Sequence, residues 1–247
     1  MIKASIYELF FPTRCAGCGV SSGRFLCPEC NSVFPLINGP ACLRCGKPTI
    51  YEVEDCLECR DRIRYLDRTA ALAVYEEPMR AAIHKLKYGN GWRLARPLGA
   101  MAGVRLAPLL QSSKPVVTFV PMNKRKRRAR GYDHAEKLAE NIAMSLGLSS
   151  ARLLLRIRAT KAQAGLSHKA RRQNVRGAFE LVGEPLSGQD IILVDDILTT
   201  GYTLSECAGV LKKGGAGEVI ACVLARDLIS GGPALPSAGQ NHPLRGQ

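Results

Sequence analysis

Ile191-Ile192-Leu193-Val194-Asp195-Asp196-Ile197-Leu198-Thr199-Thr200-Gly201-Tyr202-Thr203 runs four apolar residues into two carboxylates and then into a turn of small hydroxyl residues and glycine. An unbroken apolar run rich in β-branched residues fills a parallel strand covered on both faces, and Leu204 to Lys213 has helical composition. The order strand, turn, helix aims backbone N–H groups and a helix N-terminus outward from the carboxyl end of the strand, where open α/β sheets bind ligands. Such a turn takes a phosphate. Asp195 and Asp196 would repel it, but adjacent carboxylates at a strand end can accept hydrogen bonds from a sugar diol or help hold Mg²⁺. The combination asks for a ribose 5-phosphate. Helix capping alone would use one acceptor and leave the second carboxylate unexplained.

The 247 residues suffice for one large domain and a small one, and a hydrophobic content of 46% can supply a core. No run approaches the ~20 apolar residues of a membrane span. Met1 to Pro12 lacks the apolar length and small-residue cleavage site of a secretory signal, so the expected location is the cytoplasm. Ile2, Ile6, Leu9 and Phe10 share a helical face and predict a short docked helix. The net charge of +14 is uneven: residues 114–176 hold 16 Lys/Arg against 3 Asp/Glu, whereas residues 1–67 hold 8 of each. Such a patch concentrates anions, either a pyrophosphate group or a nucleic-acid backbone; the bland alternative is a solvated basic face.

Four CxxC pairs fall within 45 residues: Cys15 and Cys18, Cys27 and Cys30, Cys42 and Cys45, Cys56 and Cys59. Thiolates two residues apart can grip one tetrahedral Zn²⁺, and Gly19 and Gly46 follow the two leading knuckles. Two structural Cys₄ zinc sites are expected, filled by consecutive rather than interleaved pairs, since intervals of 8 and 10 residues each suit a small ribbon. Four thiolates leave no open position for catalysis. A disulfide framework would use the same even count but suits an exported chain.

The composition changes near residue 65. Residues 1–65 read as a double zinc-binding domain, 66–228 as an α/β domain and 229–247 as a disordered tail. Strands are expected at Thr69 to Tyr75, Val116 to Val120, Arg152 to Arg158 and Val219 to Ala225. Helices are expected at Pro78 to Lys87, Arg93 to Leu110 and Asp133 to Leu146, with Asp133 as a possible N-cap. Lys124-Arg125-Lys126-Arg127-Arg128-Ala129-Arg130 lies between a strand and a helix and reads as a loop at the carboxyl edge of the sheet. Cys207 and Cys222 read as core thiols.

The central stretch resembles the phosphoribosyl-pyrophosphate (PRPP) loop of type I phosphoribosyltransferases. The whole, with its Cys-rich start, resembles the ComF/GntX-like competence family. Arg128, Arg130, Gly131 and Tyr132 match that family's pyrophosphate-side segment; Asp133 and His134 stand where it usually has Asn and Gln, and Asn123 where it commonly has His. Lys161, Gln163, Leu166, Arg171, Asn174, Gly177 and Phe179 match a further pattern, and Leu86-Lys87-Tyr88 another. The resemblance implies a mostly parallel sheet with helices on both faces, behind a zinc ribbon. It implies Mg²⁺ with PRPP, Asp195 and Asp196 on the ribose hydroxyls, and Thr199, Thr200, Gly201, Tyr202 and Thr203 on the 5-phosphate. Arg128, Arg130 and Lys161 would take the pyrophosphate. It implies pentosyl transfer to an acceptor the sequence does not reveal, or non-catalytic PRPP sensing. It also implies a part in DNA uptake, with uptake-machinery proteins as partners and single-stranded DNA lying across the zinc module and the basic patch of Lys124, Arg125, Lys126 and Arg127.

Overall fold

The computed structural model describes residues 13–88, 91–110, 114–158 and 168–228. The expected N-terminal helix, the loop carrying Lys161, and the tail lie outside the described residues, as does the Arg171 side chain. The strands are β1 (Arg68–Val74), β2 (Val116–Phe119), β3 (Leu154–Arg156), β4 (Phe179–Leu181), β5 (Ile191–Leu198) and β6 (Val219–Arg226). The helices are α1 (Pro28–Ser32), α2 (Met79–Lys87), α3 (Ala95–Leu106), α4 (Lys124–Arg130), α5 (His134–Leu146), α6 (His168–Val175) and α7 (Tyr202–Lys213).

Four strands form a parallel sheet in the order β1-β6-β5-β2, and β3 and β4 make a separate antiparallel pair. Because side chains alternate along a strand, β5 and β6 feed two cores. Ile192, Val194, Ile220, Cys222 and Leu224 pack with α2, α3 and α5 on one face. Ile191, Leu193, Val219, Ala221 and Val223 pack with α7, Leu154 and Phe179 on the other. Cys207 and Cys222 are buried, as expected.

The Cys-rich segment straddles this sheet. Cys15, Leu26, Cys27 and Cys30 belong to the first core, whereas Cys42, Cys45, Cys59, Ile63 and Leu66 belong to the second. Between the two quartets the chain covers the free edge of β1: Ile37 N–H donates to Leu72 O at 3.0 Å and Val74 N–H to Pro35 O at 2.8 Å. An open parallel edge would otherwise invite pairing with another chain.

Two expectations need correction. The central strand does not stop at Val194: it pairs with β6 through Asp195 and on to Leu198, opposite Arg226, so the acidic residues are part of the sheet. The basic run is a helix, not a loop. Asn123 Oδ1 accepts from Arg125 N–H at 2.9 Å and Gly131 closes the other end at φ 83°, so both ends are capped, and Lys and Arg are good helix formers.

Candidate functional site

The carboxyl end of β5 leads through Thr199 and Thr200 to Gly201, which holds φ 80° as the N-cap of α7 and offers no side-chain acceptor to the helix. The first turn of α7 therefore has no N-cap side chain at the end that favours an anion. Gly201 must lack a side chain, because a Cβ there would come within 2.4 Å of Ile63 Cδ1. A cavity of about 250 Å³ is lined by Lys87 and by residues 195–204. Asp195, Asp196 and Thr199 to Thr203 are thus brought together.

The two carboxylates differ. Asp196 is 6% exposed, and its Oδ2 lies 2.6 Å from Lys87 Nζ and 2.8 Å from His134 Nε2. The ammonium and the imidazole together enclose that oxygen, which has no contact with solvent. Arg130 Nη1 donates to His134 Nδ1 at 2.9 Å, leaving the ring proton on Nε2, toward Asp196. Burial pushes Asp195 up to about 7, with the Asp196 charge adding to it. Burial acts on Asp196 too, but Lys87 and His134 outweigh it and hold that carboxyl below the usual carboxylate range. Lys87 is drawn down by burial, yet Asp196 raises it above an ordinary lysine. Near neutrality the pair carries one firm charge and one that titrates.

Lys87 and His134 were not among the site residues drawn from the sequence. Lys87 lies in the Leu86-Lys87-Tyr88 signature and follows buried Leu86 at the end of α2; His134 stands at a departure from the family pattern. Asp133 serves as a cap, accepting from Met122 N–H at 2.8 Å and Ala135 N–H at 3.1 Å. Arg130 is engaged by His134 and lies 5.2 Å over the Tyr88 ring, while Arg128 is exposed and does not line the cavity. Lys124, Arg125 and Lys126 are exposed; Arg127 pairs with Glu136 at 3.0 Å.

The larger cavity, about 580 Å³, lies along the outer face of α7 against α6 and residues 61–65. Arg62, Arg64, Arg172, Arg176 and Lys213 face it, against two acids, Asp61 and Glu206. Tyr65 lies flat on Gly209, where a Cβ would be 2.9 Å from its ring, and Tyr202 lines both cavities.

The eight ribbon cysteines form two groups, Cys15, Cys18, Cys27 and Cys30, and Cys42, Cys45, Cys56 and Cys59, with the sulfurs of each group within 4.8 Å of one another. Cys18 and Cys27 Sγ are 3.7 Å apart; Cys42 and Cys59, and Cys45 and Cys56, are 3.6 Å apart. A tetrahedron with Zn–S bonds of about 2.3 Å has edges of about 3.8 Å. Both sites therefore fit structural zinc, in consecutive pairing.

A parallel sheet with an acidic pair and an uncapped helix N-terminus at its carboxyl end is the architecture of a phosphoribosyltransferase-type protein. The family description "Phosphoribosyl transferase domain" matches residues 117–235, and "Double zinc ribbon domain" matches residues 6–61. Competence protein F of Haemophilus influenzae is 30% identical over 227 residues, covering 88% of this chain and 98% of that protein. This chain belongs to the competence protein F family. DNA utilization protein YhgH of Escherichia coli (strain K12) is 30% identical over 195 residues, 76% of this chain and 84% of that one. Among solved structures, glutamine PRPP amidotransferase from B. subtilis aligns at 22% identity and a TM-score of 0.38, over 56% of this chain and 30% of that chain. No helix among the described residues is long and apolar enough to cross a membrane.

Proposed function

We propose that this protein binds PRPP with Mg²⁺ at the carboxyl end of β5 and belongs to the handling of DNA during uptake. The observation that carries the first half is one cavity of about 250 Å³ that joins two carboxylates to an uncapped helix N-terminus. The turn from Thr199 to Thr203 at the N-terminus of α7 would take the 5-phosphate. Asp195 and Asp196, which both line that cavity, would take the ribose hydroxyls. Mg²⁺ would neutralise pyrophosphate oxygens, with Asp195 the carboxylate free to meet it. In transfer, the bond from C1 to the pyrophosphate oxygen breaks with its electron pair on the leaving group, and the acceptor's lone pair forms the new bond to C1. The carboxylates stabilise the positive charge that develops on the ribose. Lys87 and His134 hold Asp196 in its ionised form. Arg128, Arg130 and Lys161 remain the proposed pyrophosphate contacts.

Calorimetry tests this. Asp195→Asn removes one half-buried, repelled charge while keeping an oxygen for the Asp196 N–H, 2.9 Å away, so the variant should fold. Its affinity for PRPP with Mg²⁺ should fall about ten-fold, the worth of one charge-assisted hydrogen bond. No binding by the wild-type protein, or an unchanged affinity in the variant, ends this reading.

A second reading, direct contact with single-stranded DNA, is favoured by the groove along α7, where five cationic side chains line the cavity together with Tyr65 and Tyr202. Backbone neutralisation plus base stacking is the recurring design for single-strand binding. Arg172→Glu with Arg176→Glu should flatten the dependence of oligothymidylate affinity on salt by about 0.7 per lost phosphate contact. If only Ala at Lys124, Arg125 and Lys126 does so, the DNA lies on α4 instead.

A further inference from the structure

Arg226 is the last residue of β6 and is 2% exposed, in a position where an apolar side chain would avoid the cost of burying a guanidinium. Its contacts explain its presence. Nη1 donates to Thr199 O at 2.9 Å, to Leu198 O at 3.3 Å and to Asp227 O, which ties the end of β5 to the end of β6 just where the phosphate-binding turn begins. Nη2 reaches Glu58 Oε2 at 3.4 Å. Glu58 sits inside the Cys56-Leu57-Glu58-Cys59 knuckle of the second quartet and is also paired with Lys47.

A second prop hangs from the same knuckle. Ile63 N–H donates to Cys59 O at 2.9 Å, and the Ile63 side chain fills the space that a Cβ on Gly201 would need. Arg64 N–H then donates to Ser205 Oγ at 3.1 Å in the first turn of α7. The main chain from Leu198 to Ser205 is therefore held at three points, one through Arg226 and two directly, by residues of the second ribbon.

We infer that Arg226 is a positioning residue for the phosphate-binding turn, and that the second zinc ribbon, through Glu58 and Ile63, sets the conformation of that turn. The consequence for PRPP rests on the reading given above; the mechanical link does not. Zinc in the second site then acts on the ligand site without touching it: it fixes the knuckle, the knuckle fixes Glu58 and Ile63, and these fix the carbonyls and the glycine of the turn.

Hydrogen exchange by mass spectrometry on the full zinc-loaded chain tests the link without any ligand. Glu58→Gln keeps the zinc thiolates and removes the charge that orients Arg226, which is the milder perturbation; Arg226→Met removes the guanidinium, and Arg226→Lys restores a charge without the fork. Both Glu58→Gln and Arg226→Met should retain full zinc and the protection of β1 and β2. Exchange at the Ser205 amide, which donates to Gly201 O at 2.8 Å, and at the Asp227 amide, which donates to Leu198 O at 3.0 Å, should rise about ten-fold, as for a locally released segment. Arg226→Lys should recover part of the protection. Unchanged exchange at the Ser205 and Asp227 amides, or a rise shared equally with β1 and β2, overturns the inference. PRPP calorimetry on the same samples separates the two claims: released amides with no wild-type PRPP binding would leave the positioning role intact and remove the functional reading.

Discussion

Removal of zinc is expected to unfold the whole protein rather than to release its first sixty residues. Structural zinc sites contribute about 10–16 kcal/mol of folding free energy each, against a net stability of about 5–15 kcal/mol for an ordinary domain. In a chain whose ribbon was a separate bead, that loss would stay in the bead. Here the first quartet shares one core with Met79 and Leu86, the second shares the other with Leu204 and Cys207, and the segment between them covers the edge of β1. Lys85 Nζ adds a direct tie from α2 to the first knuckle, at 2.9 Å from Cys15 O and 3.0 Å from Gly17 O. Treatment with a strong chelator should therefore abolish near-ultraviolet dichroism and the cooperative thermal transition together, with two zinc ions released per chain. Cys56→Ser, in the quartet that also holds the phosphate turn, should do much of the same alone. A chelated protein that keeps its melting temperature would show that the sheet does not depend on the ribbons.

The sequence carries the parts of this arrangement that are local. The apolar run before Asp195, the glycine at the turn, the CxxC spacings and the Asp133 cap each follow from chemistry within a few residues, and each appears where expected. What it hides is convergence over long separations. Lys87 and His134 reach Asp196 from helices 109 and 62 residues earlier, an encounter created by the strand order rather than by any periodicity. Arg226 was hidden for a related reason: a cation ending an apolar strand normally reads as the point where the strand meets water, and here the ribbon covers that point. The basic helix α4 reads as a loop from its place between a strand and a helix, although Asn123 before it and Gly131 after it are ordinary helix boundaries.

Lys87→Met should destabilise the protein by about 3 kcal/mol, because removing one partner of a buried ion pair strands the other charge. The Asp196 side chain is 9% accessible and Lys87 24%, so little water can replace the ammonium. The loss should depend on pH with a definite sign. Asp195 has a folded pKa raised to about 7, so the native state binds its proton more tightly than the unfolded chain does. That favourable term is full below the unfolded value and is lost as pH rises through 7. Asp196 is the opposite case: Lys87 and His134 hold its pKa down, so its contribution is present above the unfolded value and is lost only in strong acid. Taking Lys87 away raises both carboxyls, and protonation can then relieve the stranded charge. Urea unfolding of the variant against wild type should show the full loss at about pH 8 and a clearly smaller one at about pH 6, while Lys87→Arg keeps most of the stability at both. Comparing the two proteins at each pH cancels proton competition at the zinc thiolates, which both share. A loss equal at both pH values would mean that Lys87 acts through packing of its stem, and that Asp196 does not need it as a counter-charge.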